Sequence, residues 1–364
     1  MNILILNWRD FKNPASGGAE ILTHEIAKRW VKNGHTVTLF SANYKGGKEN
    51  EIIEGVQIIR KGRWWTVHVF AIFYYFVKFR KTTDVIIDEV HWFPFFSGVY
   101  AREKTVLLAC EVAHRLFFAL FPYPFAMIAR GIEKIYLLTY RELPVLAISP
   151  STKEDLIQEG INSLNITILP IGIKQSLYIK AYRKEKRPTV IFLGRVNKQK
   201  GIEDAIDAFV IVKKQFSEAV LWVVGLGKED YLTQLKEKIS NLGLRSSVKF
   251  FGFVSESEKY KLLSKAHVLV VPSIHEGWGL VVSEAGLVRT PAVVYNVSGL
   301  RDTVIDGKTG YVVDLGYIAL AEGLTKIFQS NMQHKKMQHA AQKRSKVFNW
   351  DTTARIALEV LKRV

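Results

Sequence analysis

Residues Val268 to Asp302 read VLVVPSIHEGWGLVVSEAGLVRTPAVVYNVSGLRD. An apolar run suited to a buried strand, Val268 to Val271, stops at Pro272, and a polar loop carrying Ser273, His275 and Glu276 follows. Gly277 and Gly279 flank Trp278, and Leu280 to Leu287 then has helical spacing. A second apolar run, Ala292 to Tyr295, leads into the Ser298-Gly299 turn. Strand, loop, helix, strand, loop makes one parallel α/β unit and puts both loops at the same edge of a sheet.

The first of these loops carries the chemistry. Glycines without Cβ atoms let backbone N–H groups approach a ligand, and the helix start beyond them offers unpaired donors and a positive dipole end. Gly277, Trp278, Gly279 and Leu280 are therefore candidate contacts for an anion such as a diphosphate. Glu276 lies in the loop, and Glu284 follows eight residues later, just over a helical turn past Leu280. Both carboxylates can face the crevice beyond the strand ends and accept hydrogen bonds from sugar hydroxyls. Taken singly, each has a plainer reading: Glu276 as a helix cap and Glu284 as a solvated carboxylate. The loop as a whole favours the functional one.

The pattern E-G-W-G-L-V-V-S-E resembles the E-x7-E motif of retaining nucleotide-sugar glycosyltransferases of family 4, the group 1 transferases. The resemblance implies the GT-B fold: an α/β protein of two Rossmann-like, doubly wound domains facing across a cleft. Three more motifs agree with it, in the family's order. Thr189 to Leu193 reads as a strand, and Gly194-Arg195 with Lys200-Gly201 follows its end. A guanidinium and an ammonium aimed at one place suit a diphosphate, with Arg supplying bidentate geometry. In the family such a pair holds the donor's diphosphate leaving group. After the strand Val248 to Phe251 comes Gly252-Phe253-Val254, where relatives seat the nucleotide base on backbone groups at Gly252 and Val254. The GLRD turn matches a position where relatives more often have Glu than Asp302. By resemblance, Glu276 touches the donor sugar and Glu284 the ribose. The Gly225-Leu226-Gly227 turn lacks the third glycine of a dinucleotide fingerprint, which disfavours a dehydrogenase.

Upstream, Ile3 to Leu6 and Thr36 to Phe40 read as strands around a helix from Gly18 to Val31, with Ile21, Leu22, Ile26 and Trp30 toward the core. The connection NWRDFKNPASGGAE is long for a βα loop, and its Gly17-Gly18 pair sits at the helix start, where backbone can touch an anion or an incoming acceptor. Asp84 to Asp88, Thr105 to Ala109, Leu146 to Ser149 and Ile166 to Leu169 are further strands. The segment CEVAHR follows the second of these. Family members carry a histidine or acid there, close to the transferred sugar, so His114 and Glu111 are the candidates to position the acceptor hydroxyl or share its proton. His114 beside Arg115 is equally readable as a surface residue.

Basic Lys174 to Arg187 with Pro188 reads as a linker, giving an acceptor-binding domain over 1–175 and a donor-binding domain over 188–364. In this fold the closing helices return to cover the first domain. At 364 residues, 48% hydrophobic and 23% charged, the chain suits two globular domains. A lone Cys110 suits a reducing cytosol. The start MNILILNWRD reads as a strand rather than a secretory signal.

The net charge of +17 calls for an anionic partner. Gly55 to Thr83 contains no acidic residue, and Arg60, Lys61, Arg63, Lys78, Arg80 and Lys81 flank WWTVHVFAIFYYFV. Val112 to Ile132, VAHRLFFALFPYPFAMIARGI, is also free of acids. Each stretch is either a buried amphipathic helix with solvated ends or a helix lying in an anionic membrane interface; two in one half favour membrane contact through 60–81 and 112–132. The protein is then cytoplasmic and peripheral on the inner face of the membrane. The aromatics cluster in apolar runs instead of alternating with cations on an RNA module, which argues against nucleic acid.

The resemblance therefore implies an enzyme that needs neither metal nor cofactor and that moves a sugar from a nucleotide diphosphate-sugar donor to a glycan or lipid-linked acceptor. No D-x-D cluster is present to hold a divalent ion. The rival readings are a nucleotide-sugar epimerase of the same architecture and a basic nucleic-acid-binding protein.

Overall fold

The computed structural model of the protein describes residues 1–91, 93–113, 116–174 and 182–364. The chain divides into two compact units: Met1–Gly172 together with Trp350–Val364, and Ile173–Asn349.

The first unit is built on strands β1 (Asn2–Leu6), β2 (Thr36–Ser41), β3 (Asn50–Ile53), β4 (Val56–Arg60), β5 (Val85–Val90), β6 (Thr105–Ala109), β7 (Val145–Ala147) and β8 (Ile166–Ile168). They form one sheet in the order β3-β4-β2-β1-β5-β6-β7-β8, parallel throughout except for the β3–β4 hairpin. The strands are nearly continuous apolar runs because helices cover both faces. Gly18–Lys32 packs with Leu22, Ile26 and Trp30 buried, whereas Ile21 is 44% exposed. The helix period carries position 21 past the edge of the apolar stripe, so the expectation that it faces the core does not hold. The closing helix Trp350–Leu361 packs on Gly18–Lys32. There the Trp30 indole N–H donates to the Ala354 carbonyl at 2.8 Å, and Thr353 donates to the Pro170 carbonyl at 2.6 Å.

The acid-free stretch after Gly55 holds two things rather than one. Val56–Arg60 is strand β4, and only Val67–Tyr74, prolonged by a π-helical turn over Tyr75–Phe79, is helical. Arg60 is therefore no membrane-flanking cation: it is fully buried and its guanidinium grips Asp10 with two hydrogen bonds, 2.6 and 2.9 Å. Lys61 is likewise engaged, donating to Glu49 at 2.5 Å. The strand after Asp84 is also longer than its apolar run, taking in Glu89 and Val90.

The second unit holds β9 (Thr189–Leu193), β10 (Val220–Val224), β11 (Val248–Gly252), β12 (Val268–Val271), β13 (Ala292–Tyr295) and β14 (Gly310–Val313), ordered β11-β10-β9-β12-β13-β14 and all parallel. The unit begins at Ile173 rather than near 188. Residues 182–187 are fastened to it, with Lys184 Nζ donating to the Ala266 carbonyl and to Thr290 Oγ1, both at 2.6 Å, and Glu185 N–H donating to the Lys265 carbonyl.

Candidate functional site

In the second unit the chain builds β9, β10 and β11 toward one edge, then crosses back to lay β12, β13 and β14 toward the other. The order reverses between β9 and β12, and ligands of open α/β sheets bind outside the strand carboxyl ends at such a point. The loops that meet there are the two that the sequence singles out.

After β9, Asn197 accepts the Lys200 N–H on its side-chain oxygen at 3.0 Å, closing a short turn, and the helix Ile202–Gln215 follows. Gly201 has φ of +69°, and a Cβ there would overlap the carbonyl oxygen of Pro272. Only glycine lets the β9 loop lie this close to the end of β12. The Ile274 N–H donates across to the Gln199 carbonyl at 3.1 Å, joining the two loops.

That closeness brings Lys200 to Glu276: its ammonium donates to Glu276 Oε1, which also accepts from Ser273 Oγ at 3.2 Å. The pair is partly open to solvent, with side chains 23% and 17% exposed. Arg195 stands exposed just past β9, and its guanidinium has no ion-pair partner among the described residues. Gly194 before it has open space where a side chain would be.

Gly277, Trp278 and Gly279 lead into the helix Leu280–Leu287. The Trp278 ring packs edge-on against Phe348 at 5.2 Å and is buried, so what Trp278 can offer a ligand is backbone. Gly299, with φ of +79°, brings the following turn against the same loop; a Cβ there would strike the Glu276 and Gly277 carbonyls. Glu284 is held by Lys259 at 2.6 Å. Gly252 ends β11 with φ of +64° and accepts the Gly225 N–H at 2.9 Å, and Val254 lies half-buried just beyond it. Asp302 offers its backbone carbonyl to Arg344.

Lys200, Glu276 and the glycine loop are thus brought together at the strand ends. Arg195 is on the same loop as Lys200, and Glu284 sits one helix turn further on. A cation pair beside backbone donors can hold a dianion, and the part-exposed carboxylates can accept hydroxyls.

The first unit reverses its strand order between β1 and β5. Gly17 caps the Gly18–Lys32 helix and donates its N–H to Glu20 at 2.6 Å, while Arg9 Nε donates to the other Glu20 oxygen at 2.8 Å. Both glycines thus sit at the helix start. Glu111 lies past β6 with its carboxylate 3.7 Å from His91 Nδ1, and His91 stacks on Trp8 at 5.8 Å. His114 lies outside the described residues. Cys110 points inward, 3.6 Å from Glu89.

Glu89 was not singled out by the sequence, and neither was His91. Glu89 is buried at the end of β5 and accepts from Asn7 Nδ2 and Thr23 Oγ1, each at 2.5 Å. Burial pushes its carboxyl up to about 8, against the pull of the Thr23 hydroxyl. Burial likewise raises the Cys110 thiol. Two acids and a histidine closing an apolar run, D-E-V-H, were the available signal.

Comparison with known proteins places these units. A family model described as glycosyl transferases group 1 matches residues 175–344, and one described as glycosyltransferase family 4 matches residues 16–177. An uncharacterized glycosyltransferase of Methanocaldococcus jannaschii is 26% identical, covering all of this chain and 98% of its own. Among solved structures, sucrose-phosphate synthase from Thermosynechococcus elongatus superposes with a TM-score of 0.80 at 20% identity, over 100% of this chain and 98% of its own. Anabaena HepE in complex with UDP and glucose superposes with a TM-score of 0.76 at 19% identity, over 100% of both chains.

Proposed function

The chain belongs to the group 1 glycosyltransferases and has the GT-B fold, and we propose that it moves a sugar from a nucleotide diphosphate-sugar to a glycan or lipid-linked acceptor, retaining the anomeric configuration, in the synthesis of a cell-surface polysaccharide or glycolipid. The observation that carries this reading is the Lys200–Glu276 pair at the strand-order reversal, beside Arg195 and the Gly277–Gly279 loop. That Anabaena HepE holds UDP and glucose supports a donor of this kind.

In the free enzyme the Lys200 ammonium neutralises Glu276. An arriving diphosphate competes for that ammonium, and Arg195 supplies a second, bidentate hold. Glu276, released, accepts hydrogen bonds from the donor sugar, and Glu284 does the same for the ribose. As the bond from the sugar carbon to the diphosphate breaks, its electron pair goes to the leaving phosphate oxygen. Arg195, Lys200 and the loop amides stabilise that charge in place, the work a divalent metal does in other transferases. The acceptor oxygen takes the vacated position on the same face of the sugar, and its proton passes to the departing phosphate oxygen.

A thermal-shift panel of nucleoside diphosphates and their sugar conjugates tests the donor half. One base and one sugar should raise Tm selectively, through binding to the folded state alone. No stabilisation by any member would overturn the reading, and conversion of the sugar nucleotide without an acceptor would make the protein an epimerase instead. Arg195→Ala should lower turnover by roughly 10²–10³-fold, the loss typical of removing one preorganised charge stabiliser, with the unfolding midpoint unchanged.

A further inference from the structure

We infer that the first unit carries a single membrane-docking platform, formed by one whole helix layer, that seats on an anionic lipid surface.

The sheet register shows why the layer is continuous. Leu4 and Leu6 of β1 lie beside Ile86 and Asp88 of β5, which lie beside Leu107 of β6, which lies beside Val145 of β7. Paired residues share a face of the sheet, so these side chains, with Val90, Ala109 and Ala147, all point to one side. On that side Val67, Ala71, Tyr75 and Phe79 pack against Leu4, Leu6 and Ile86. Tyr136, Leu137 and Tyr140 pack against Val90, Leu107 and Val145. The helices Val67–Tyr74, with its π-helical extension, and Tyr123–Leu138 therefore belong to the same layer. The short helix Ser97–Tyr100 bridges them. Tyr100 meets the Tyr75 ring at 5.1 Å, and Arg102 just beyond it donates to the Thr139 carbonyl at 3.0 Å.

The outer side of this layer is apolar where a soluble helix would be polar. Phe73, Val77, Val99, Phe125, Ile128 and Ile135 are each at least 60% exposed. Along Tyr123–Leu138 the sequence positions 125, 128, 132 and 135 recur at helical spacing, opposite the buried Ala126, Glu133 and Leu137. Isolated exposed apolar residues are ordinary; a stripe on two helices of one layer exceeds what soluble monomers leave bare.

Charge selects the occupant. No acidic residue occurs from Gly55 to Thr83 or from Val112 to Ile132. Exposed Arg63, Lys78, Arg80, Lys81, Arg130 and Lys134 lie along the two helices and their ends, and the Arg80 guanidinium sits 5.7 Å from the exposed Phe76 ring. Apolar anchors with a cationic surround suit a bilayer whose headgroups are anionic, with the helices in the interface plane. Among the described residues no helix is long and apolar enough to cross a membrane, so the contact lies on the surface. This inference rests on the transferase reading only for what the docked surface serves: it brings the enzyme to a lipid-linked or membrane-proximal acceptor.

The test is co-sedimentation of the full chain with phosphatidylcholine vesicles, with and without roughly 30 mol% phosphatidylglycerol. Binding to the anionic vesicles, weakened by salt, is expected, and the double substitution Phe73→Ser, Ile128→Ser should reduce it about tenfold or more. Both positions are exposed, and retention of the nucleoside diphosphate thermal shift by the variant shows that it folds. Equal binding with and without phosphatidylglycerol overturns the anionic requirement. Absence of vesicle binding, undiminished binding by the variant, or a dimer in sedimentation equilibrium that the variant dissolves each overturns the platform. A chain that binds vesicles but no nucleotide would leave the platform standing and remove the transferase reading; the reverse result would do the opposite.

Discussion

Both sheets reverse their strand order at the carboxyl ends of their central strands, yet the two points handle charge in opposite ways. In the second unit the ions are paired but wet: Lys200 and Glu276 are 23% and 17% exposed, and Arg195 stands open. In the first unit the pair that ties the long loop to β4 is sealed. Asp10 and Arg60 are both 0% exposed, and Glu89 is buried among Asn7, Thr23 and Cys110. A part-exposed pair can trade one partner for a ligand at small cost, because water screens the separated charges. A buried pair cannot, since either partner alone would be an uncompensated charge in a poor dielectric. On the proposed reading, the second unit's reversal is therefore suited to exchanging its carboxylate partner for an anion. In the first unit the Asp10–Arg60 pair, two strands from the reversal, is a lock that holds the long connection from Asn7 to Gly17 against β4.

The contrast breaks most readily at the lock. Arg60→Met strands the Asp10 carboxylate, and a loss of about 3–5 kcal/mol of stability is expected in urea unfolding. A loss below about 1 kcal/mol would mean that the connection does not depend on the pair. Adding Asp10→Leu to Arg60→Met should recover much of the loss, since the cost lies in the unpaired charge.

A smaller effect is expected at Glu89. The folded chain keeps the proton that the unfolded chain releases near the ordinary value of 4.5, up to about 8. Stability is therefore full below 4.5 and drains as pH rises to about 8, where the native carboxyl also ionises. Glu89→Gln keeps a neutral group of the same shape, so its Tm should fall less between pH 5 and pH 8 than that of the parent chain. Parallel Tm profiles would contradict a protonated Glu89.

These two regions also differ in how far the sequence discloses them. The wet site was legible: glycines, Arg195, Lys200 and Glu276 occupy short loops directly after apolar runs, and local spacing fixes where a loop side chain can reach. Lys200 meeting Glu276 still required the register of β9 beside β12, which no single segment encodes. The lock was hidden because its partners are 50 residues apart in Asp10 and Arg60. Arg60 was read as part of a cationic flank, although it ends a strand. Glu89 was missed for a related reason: the strand was taken to stop at Asp88, where two acids stand in succession, so Glu89 was left outside the core. Most strands were readable from apolar runs; the β3–β4 hairpin and β14 were not, β3 (NEII) being short and half-polar and β14 (GYVV) only four residues opening on a glycine. The apolar platform was visible as composition, but only the shared sheet face shows that its two helices form one layer.

The exchange of Lys200 between Glu276 and a diphosphate is the central claim, and titration calorimetry with the stabilising nucleoside diphosphate tests it most directly. Lys200→Met should weaken binding by about tenfold or more, the worth of a charge-assisted hydrogen bond, while changing stability by less than about 1 kcal/mol. Glu276→Gln removes the competing carboxylate, so the same ligand should bind as tightly as before or tighter. If Glu276→Gln instead weakens the diphosphate as much as Lys200→Met does, or if neither changes its affinity, the pair is a structural clamp and the account is wrong.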